Sequence, residues 1–413
     1  MSPEAMPPEA TSREFDPESS LEIFVLVVLG LFMVLFGALL FRINNGSLNY
    51  NPDSTYGLFL VIVAFQVATL GKTPLGDFRR SWLLLIIGFG AAAIGLFGCF
   101  IPGVSSYLLR TLVGLILLGG GLVLFAQLWI SKEKARSWLQ VGGVLRHLTV
   151  ACGLVYVLMI VLGIRTLIPG TRNIQTAVIL LVAGASIFYL AGSLWETARL
   201  YPTEWQTHRT RDAGSRANIW ILQEASLSLS QSTIILFGLM LLLLGGLLLP
   251  VGAGTLPFSP DGQFGVLLTI MAIQTACLGQ TPVGQFGRSW PVFAVGVALA
   301  GLGIVSAIAP GALTNLDRIL VGILNIAGGV VSLIRMQSQA RAAHAAEAKT
   351  PIELKRLAVN QTAQSLAAIA FGITALIPGL IPLLFVAGIL VIYGLLLFDT
   401  VFLLSKVAKL SPA

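Results

Sequence analysis

From residue 21 to residue 404 the chain is a succession of apolar stretches separated by short polar connectors. Most of the stretches approach the roughly 20 residues that a helix needs to cross a bilayer. In hydrocarbon every backbone N–H and C=O must be satisfied internally, so such stretches fold as helices. Twelve segments have this character: 21–41, 56–71, 82–101, 105–129, 148–168, 174–195, 230–249, 264–279, 290–309, 313–335, 358–377 and 380–404. A soluble domain carries about 25% charged residues. Here the figure is 10%, with 56% apolar residues, which excludes a soluble globular enzyme, a disordered tail protein and a nucleic-acid binder.

Two segments, 56–71 and 264–279, are short enough to be re-entrant. The distribution of basic residues decides between the alternatives, because cytoplasmic loops collect Lys and Arg. With twelve spans, 20 of the 25 basic residues fall on one side, and only Arg42, Arg110, Arg165, Arg172 and Arg318 on the other. Making both short segments re-entrant splits the same residues 12 to 13 and removes the bias. Twelve spans with both termini cytoplasmic is therefore the expectation, in a bacterial plasma membrane. All seven tryptophans then fall on or near the cytoplasmic side, where amphipathic rings suit the headgroup layer.

The chain also repeats itself. Residues 66–82 read QVATLGKTPLGDFRRSW and residues 274–290 read QTACLGQTPVGQFGRSW, identical at eleven of seventeen positions with an offset of 208. At the same offset Gly30 and Gly37 match Gly238 and Gly245, Pro102-Gly103 matches Pro310-Gly311, and Arg110 and Gly114 match Arg318 and Gly322. One further residue brings Ile168-Pro169-Gly170 onto Ile377-Pro378-Gly379. Six spans per copy is an even number, so both copies enter the membrane the same way up, about an axis along the membrane normal. The expected fold class is an all-α integral membrane protein: twelve transmembrane helices as two parallel, same-topology six-helix repeats. Its divisions are a disordered cytoplasmic tail (1–20), repeat 1 (21–195), a cytoplasmic linker (196–229), repeat 2 (230–408) and a short tail (409–413). Within the linker, Ala217–Leu229 has the pattern of an interfacial amphipathic helix, with an exposed linker as the plain alternative.

Four hairpins turn at or just beyond Pro-Gly pairs, and their helices are dotted with glycines such as Gly88, Gly95, Gly114, Gly296, Gly303 and Gly322. Lipid supplies no hydrophobic drive for helix association, so small residues that let backbones approach take that role. A glycine-dotted helix, a turn at Pro, then a helix with Val-Gly and a later Gly occurs at Gly95, Pro102, Val113-Gly114 and Gly119, and again at Gly303, Pro310, Val321-Gly322 and Gly328. This pattern resembles the short repeat of the HdeD-type acid-resistance membrane proteins. The resemblance covers the Pro-turn hairpins, about half the chain; members of that family are typically a single six-helix unit. It implies a stress-linked membrane protein and brings no catalytic residues.

The repeated stretch carries the candidate site. On a helix Gln66, Thr69 and Thr73 share a face, as do Gln274, Cys277 and Thr281. A glutamine lying about 9 Å into hydrocarbon, by helical rise, must find a partner. Either Gln66 and Gln274 bond neighbouring helices, or the two copies face each other and line a polar path. Arg80 and Arg288, each before Ser-Trp, are placed to anchor on anionic headgroups or to hold an anionic ligand. Asp399 is a lower-ranked intramembrane candidate. Three isolated cysteines and three histidines show no ligand spacing, so no metal, cofactor or catalytic residue is expected and the protein does not read as an enzyme. Scarce buried carboxylates argue against proton coupling. The leading functional reading is passive or facilitated movement of a small solute along the repeat interface. The alternative is a non-catalytic membrane scaffold, complex subunit or envelope stress-tolerance protein, with a protein partner or a second copy as its binding partner. On the twelve-span topology, an impermeant thiol reagent added to intact cells is expected to label Arg172→Cys and to leave Lys132→Cys unlabelled.

Overall fold

The computed structural model describes residues 17–70, 72–73, 76–77, 81–130, 143–168, 174–200, 229–278, 280–281, 284–285, 290–345, 352–377 and 379–410. Among them the chain is helical apart from two minimal hairpins. The helices are α1 (Pro17–Asn44), α2 (Pro52–Leu70), α3 (Trp82–Phe100), α4 (Ser106–Ile130), α5 (Val144–Leu167) and α6 (Ile174–Leu200). They continue as α7 (Leu229–Gly252), α8 (Pro260–Leu278), α9 (Trp290–Ile308), α10 (Thr314–Ala345), α11 (Ile352–Leu376) and α12 (Leu383–Leu410). Nine of these are long and apolar enough to cross a membrane; α2, α8 and α11 are not among the nine. The protein is a polytopic helical membrane protein.

The boundaries follow local chemistry. Proline opens α1, α2 and α8, using the first helical position, where its missing N–H costs nothing. Consequently α1 begins at Pro17, inside the segment expected to be a disordered tail. Helix α10 runs on to Ala345 through QARAAHA, a stretch of strong helix formers that extends the helix past its apolar part. Helix α6 likewise reaches Leu200, beyond the expected boundary at 195. The expected interfacial helix lies outside the described residues except for Leu229, which starts α7.

The end of α1 and the end of α7 close in the same way. Gly46 and Gly254 both adopt φ +72°, a left-handed conformation that favours glycine. The Ser47 N–H donates to Arg42 O and the Thr255 N–H to Pro250 O, each at 3.0 Å. The Ser47 and Thr255 hydroxyls donate to the same two carbonyls at 2.8 Å. These bonds satisfy carbonyls that the helix end leaves without partners.

The helices pack as close pairs: α1 with α6, α2 with α3 and α4 with α5, then α7 with α12, α8 with α9 and α10 with α11. Small residues set the spacing, as expected for association in lipid. A Cβ on Gly95 would lie 2.6 Å from Gly57 O across the α2–α3 pair, and a Cβ on Gly265 2.6 Å from Gly303 O across α8–α9. Cβ atoms on Gly37 and Gly245 would lie 2.8 Å from Ala177 O and Ala387 O, fixing α1–α6 and α7–α12. Not every glycine serves this purpose: nothing lies within 4 Å of a Cβ on Gly119.

The first six helices meet the last six through α1, α2 and α3 against α7, α8 and α9. Helices α2 and α8 form the core of this seam, with Leu58–Ala68 buried except Gln66, and Phe264–Ile273 buried throughout. Aromatic rings cross the seam as well: Phe24 of α1 meets Phe293 of α9 edge to face at 5.3 Å, and Trp195 of α6 meets Trp290 of α9 at 6.5 Å. Replacing Gly95 by Val forces α2 and α3 apart. The expected result is a loss of about 1–3 kcal/mol, measured as a lower thermal midpoint of the purified protein in detergent.

Candidate functional site

The repeated Gln-to-Trp motif spans the end of α2 or α8 and the hairpin that follows. Strands β1 (Lys72–Thr73) and β2 (Gly76–Asp77) pair antiparallel, as do β3 (Gln280–Thr281) and β4 (Gly284–Gln285). Thr73 stands opposite Gly76 and Thr281 opposite Gly284. Thr73 and Thr281 thus leave the helical face expected of them and occupy equivalent strand positions. Thr69 remains in the last turn of α2. Arg80 and Arg288, with the headgroup contacts expected of them, lie outside the described residues.

Gln66 and Gln274 are half-buried on α2 and α8. The Thr275 hydroxyl, next to Gln274, is buried without a hydrogen-bond partner. Two cavities are lined by other residues. One is a groove of about 590 Å³ against α3 and α4, bounded by Ile94, Phe97, Val104, Tyr107 and Leu108. The other, about 30 Å³, lies among Phe32, Phe36, Thr55, Phe59 and Thr166 inside the first six helices.

The most developed polar arrangement is one that the sequence reading missed. Asp53, in the first turn of α2, is 1% exposed. Its Oδ2 accepts from the Gly103 N–H at 2.5 Å and from the Ser106 hydroxyl at 2.8 Å. Asp261, in the first turn of α8, repeats this: its Oδ2 accepts from the Gly311 N–H at 3.2 Å and its Oδ1 from the Thr314 hydroxyl. Each carboxylate therefore ties the start of one helix to the turn between the next two. Gly103 and Gly311 hold φ of +86° and +87°, as such turns require. The legible signal was Asn51-Pro52-Asp53 and Ser259-Pro260-Asp261: a capping residue, proline at the first helical position and an acid in the first turn.

The same two helix starts join the halves of the chain. The Asn51 N–H donates to Ile308 O at 3.1 Å, and the Ser259 N–H donates to Phe100 O at 2.9 Å. The Asn51 Oδ1 and Ser259 Oγ cap their own helices, accepting from the Ser54 and Gly262 N–H groups at 3.1 and 3.2 Å. The Ser54 hydroxyl donates across to Cys99 O at 3.1 Å. Hence the starts of α2 and α8 and the ends of α3 and α9 meet at one end of the bundle.

Asp399 has a partner. The Asn360 amide donates to its Oδ2 at 2.7 Å and to Leu396 O at 3.1 Å, and the Gln364 amide donates to Asn360 Oδ1, Leu396 O and the Thr400 hydroxyl. Asp399 is exposed on the outside of the bundle, whereas Asp53, Asp261 and Asp317 are buried. Carboxylates are therefore less scarce in the interior than the apolar pattern implied. Asp317 does not bond Arg318; neither of its oxygens has a hydrogen-bond partner, nor has Arg318 Nε. His147 falls on α5, with its Nδ1 2.6 Å from the Tyr189 hydroxyl of α6. Among the described residues no cluster of three or more His, Cys, Asp or Glu is placed to hold a metal ion.

No protein-family model, curated protein or solved structure matches the chain. Replacing Asp53 by Ala leaves the Gly103 N–H and the Ser106 hydroxyl without their acceptor. The expected cost is about 1–3 kcal/mol, read as a lower thermal midpoint of the detergent-solubilised protein.

Proposed function

We propose that two six-helix units stand the same way up in a twelve-span bundle, with both termini in the cytoplasm of a bacterial plasma membrane. A small solute moves passively along the seam between the units. Three observations support the arrangement: the one-sided distribution of basic residues, the matching aspartate-bound turns and the meeting of both helix starts at one end.

The observation that carries the transport reading is where the interior polar groups lie. Asn51, Asp53, Ser54 and Thr55 are buried at the start of α2; Ser259, Asp261, Gln263, Thr269 and Thr275 are buried along α8. Gln66 and Gln274 extend the series toward the other end of the same two helices. Polar side chains are costly in an apolar bundle and mark pathways when they are gathered on particular helices. These two helices lie within the seam between the halves, which α1, α3, α7 and α9 share with them. A small neutral solute can exchange its hydration for such groups one at a time, without a charge to neutralise. Helix ends α3 and α9, held by the Asn51 and Ser259 bonds, close the path at the aspartate end in this conformation.

Purified protein in proteoliposomes is expected to accelerate the flux of glycerol or urea. The pair Gln66→Leu and Gln274→Leu is expected to lower that flux at least about tenfold, equivalent to about 1.4 kcal/mol of lost stabilisation, while leaving the thermal midpoint near that of the wild type. Wild-type vesicles no more permeable than empty ones, with a stoichiometric protein co-purifying in mild detergent, would replace this reading by the scaffold.

A further inference from the structure

The aspartate-bound turn of the second half contains a carboxylate that the first half lacks. Asp317 stands one helical turn along α10 from Thr314, whose hydroxyl bonds Asp261. At the matching place on α4 the first half has Leu109. Asp317 is 0% exposed and neither carboxyl oxygen has a hydrogen-bond partner. It lies close enough to Asp261 for the two negative charges to repel. The Ser306 hydroxyl sits beside it, yet donates to the Asp261 backbone carbonyl at 3.3 Å. Arg318, the adjacent cation, leaves its own Nε without a hydrogen-bond partner.

Closing the turn does not require this second acid, since Asp53 closes the equivalent turn by itself. Asp261 has its donors, but Asp317 beside it is a buried carboxylate with none; such a group is strongly disfavoured as a lone anion and is relieved by a proton or by a bound cation. The available donors are two carboxylates and the hydroxyl oxygens of Ser306 and Thr314, all hard oxygen ligands with no imidazole or thiolate among them. Such a set suits calcium-class cations, which accept mixed carboxylate and hydroxyl ligands in irregular geometry, better than transition metals. A divalent ion also balances the two negative charges. Gly311 is exposed and Thr314 half-buried, so the group is reachable from the turn.

We propose that Asp317 and Asp261, with the Thr314 and Ser306 hydroxyls, bind a single calcium-class divalent cation at the turn end of the second half. Water completes the coordination. With only two acidic ligands the site is weak, half-saturating on the order of 10⁻⁴ to 10⁻³ M, the range of extracellular calcium modules. Nothing in this assignment depends on solute flux.

The test uses the full-length protein, purified in detergent, stripped with EDTA and titrated with calcium chloride. Thermal unfolding and equilibrium dialysis against radioactive calcium are the readouts. The wild type is expected to show a saturable rise in thermal midpoint and one ion bound per chain, with sodium chloride at equal ionic strength giving no rise. Asp317→Leu restores the residue type of the first half, and Asp317→Asn keeps the shape while removing the charge. Both are expected to lose the calcium-dependent rise and the bound ion, and to be at least as stable as the wild type in EDTA. A wild-type midpoint unchanged across the titration overturns the proposal, as does undiminished calcium binding in either variant. So does an equal rise on acidification in EDTA to which calcium adds nothing, because the carboxylates then share a proton.

Discussion

Helices α2 and α8 begin inside the bundle, and a helix start exposes N–H groups that have no partner within the helix. In water those groups would be hydrated; in an apolar bundle each needs an acceptor. Asn51 and Ser259 provide it from the side chain, and their own N–H groups are satisfied by the terminal carbonyls of α9 and α3. Asp53 and Asp261, one step further on, accept the N–H of the next turn. The positions of α3, α4, α9 and α10 relative to the central pair follow from these few bonds. Close glycine packing then fixes the distances between helices but leaves their register to the polar ends.

The two halves differ where packing alone would permit them to be alike. Leu109 of α4 corresponds to Asp317 of α10, and Val67 of α2 corresponds to Thr275 of α8. Helices α11 and α12 carry the Asn360, Gln364, Asp399 and Thr400 network, whereas buried Ala151 and Val155 lie on α5. At these positions the second half is the more polar, although α5 and α6 bury Thr149, Ser186, Ser193 and Thr197. The aromatic contacts among Phe24, Phe293, Trp195 and Trp290 also join the halves on one flank of the seam.

Helix number and kind were legible because hydrocarbon leaves the backbone little choice, and all twelve expected segments contain helices. Ends were less legible. Pro17 starts α1 earlier than hydropathy indicated and the Ala-rich segment carries α10 further, because helix propensity and capping act where the apolar signal has stopped. The candidate residues were read from the best-conserved stretch between the two copies, which drew attention to Gln66 and Gln274. Asp53 and Asp261 were passed over because each stands in a short polar connector that resembles an ordinary loop. Only the fold, which brings Gly103 and Gly311 to residues fifty positions earlier, shows what those acids do. Asp317 was masked by its neighbour Arg318, since a sequence makes adjacent opposite charges look paired when the helix sends them in different directions.

The reciprocal bonds from Asn51 to Ile308 and from Ser259 to Phe100 mean that each half lends the other a backbone acceptor. Neither helix start is complete until both halves are present. During synthesis, the Asn51 N–H must therefore wait for Ile308 at the end of α9, about 250 residues later, before it has a place to go. Two identical copies related by a two-fold axis would satisfy the same pair of bonds. The reciprocal pair of bonds is thus of the kind a symmetric dimer makes, here held within one chain whose halves differ in sequence.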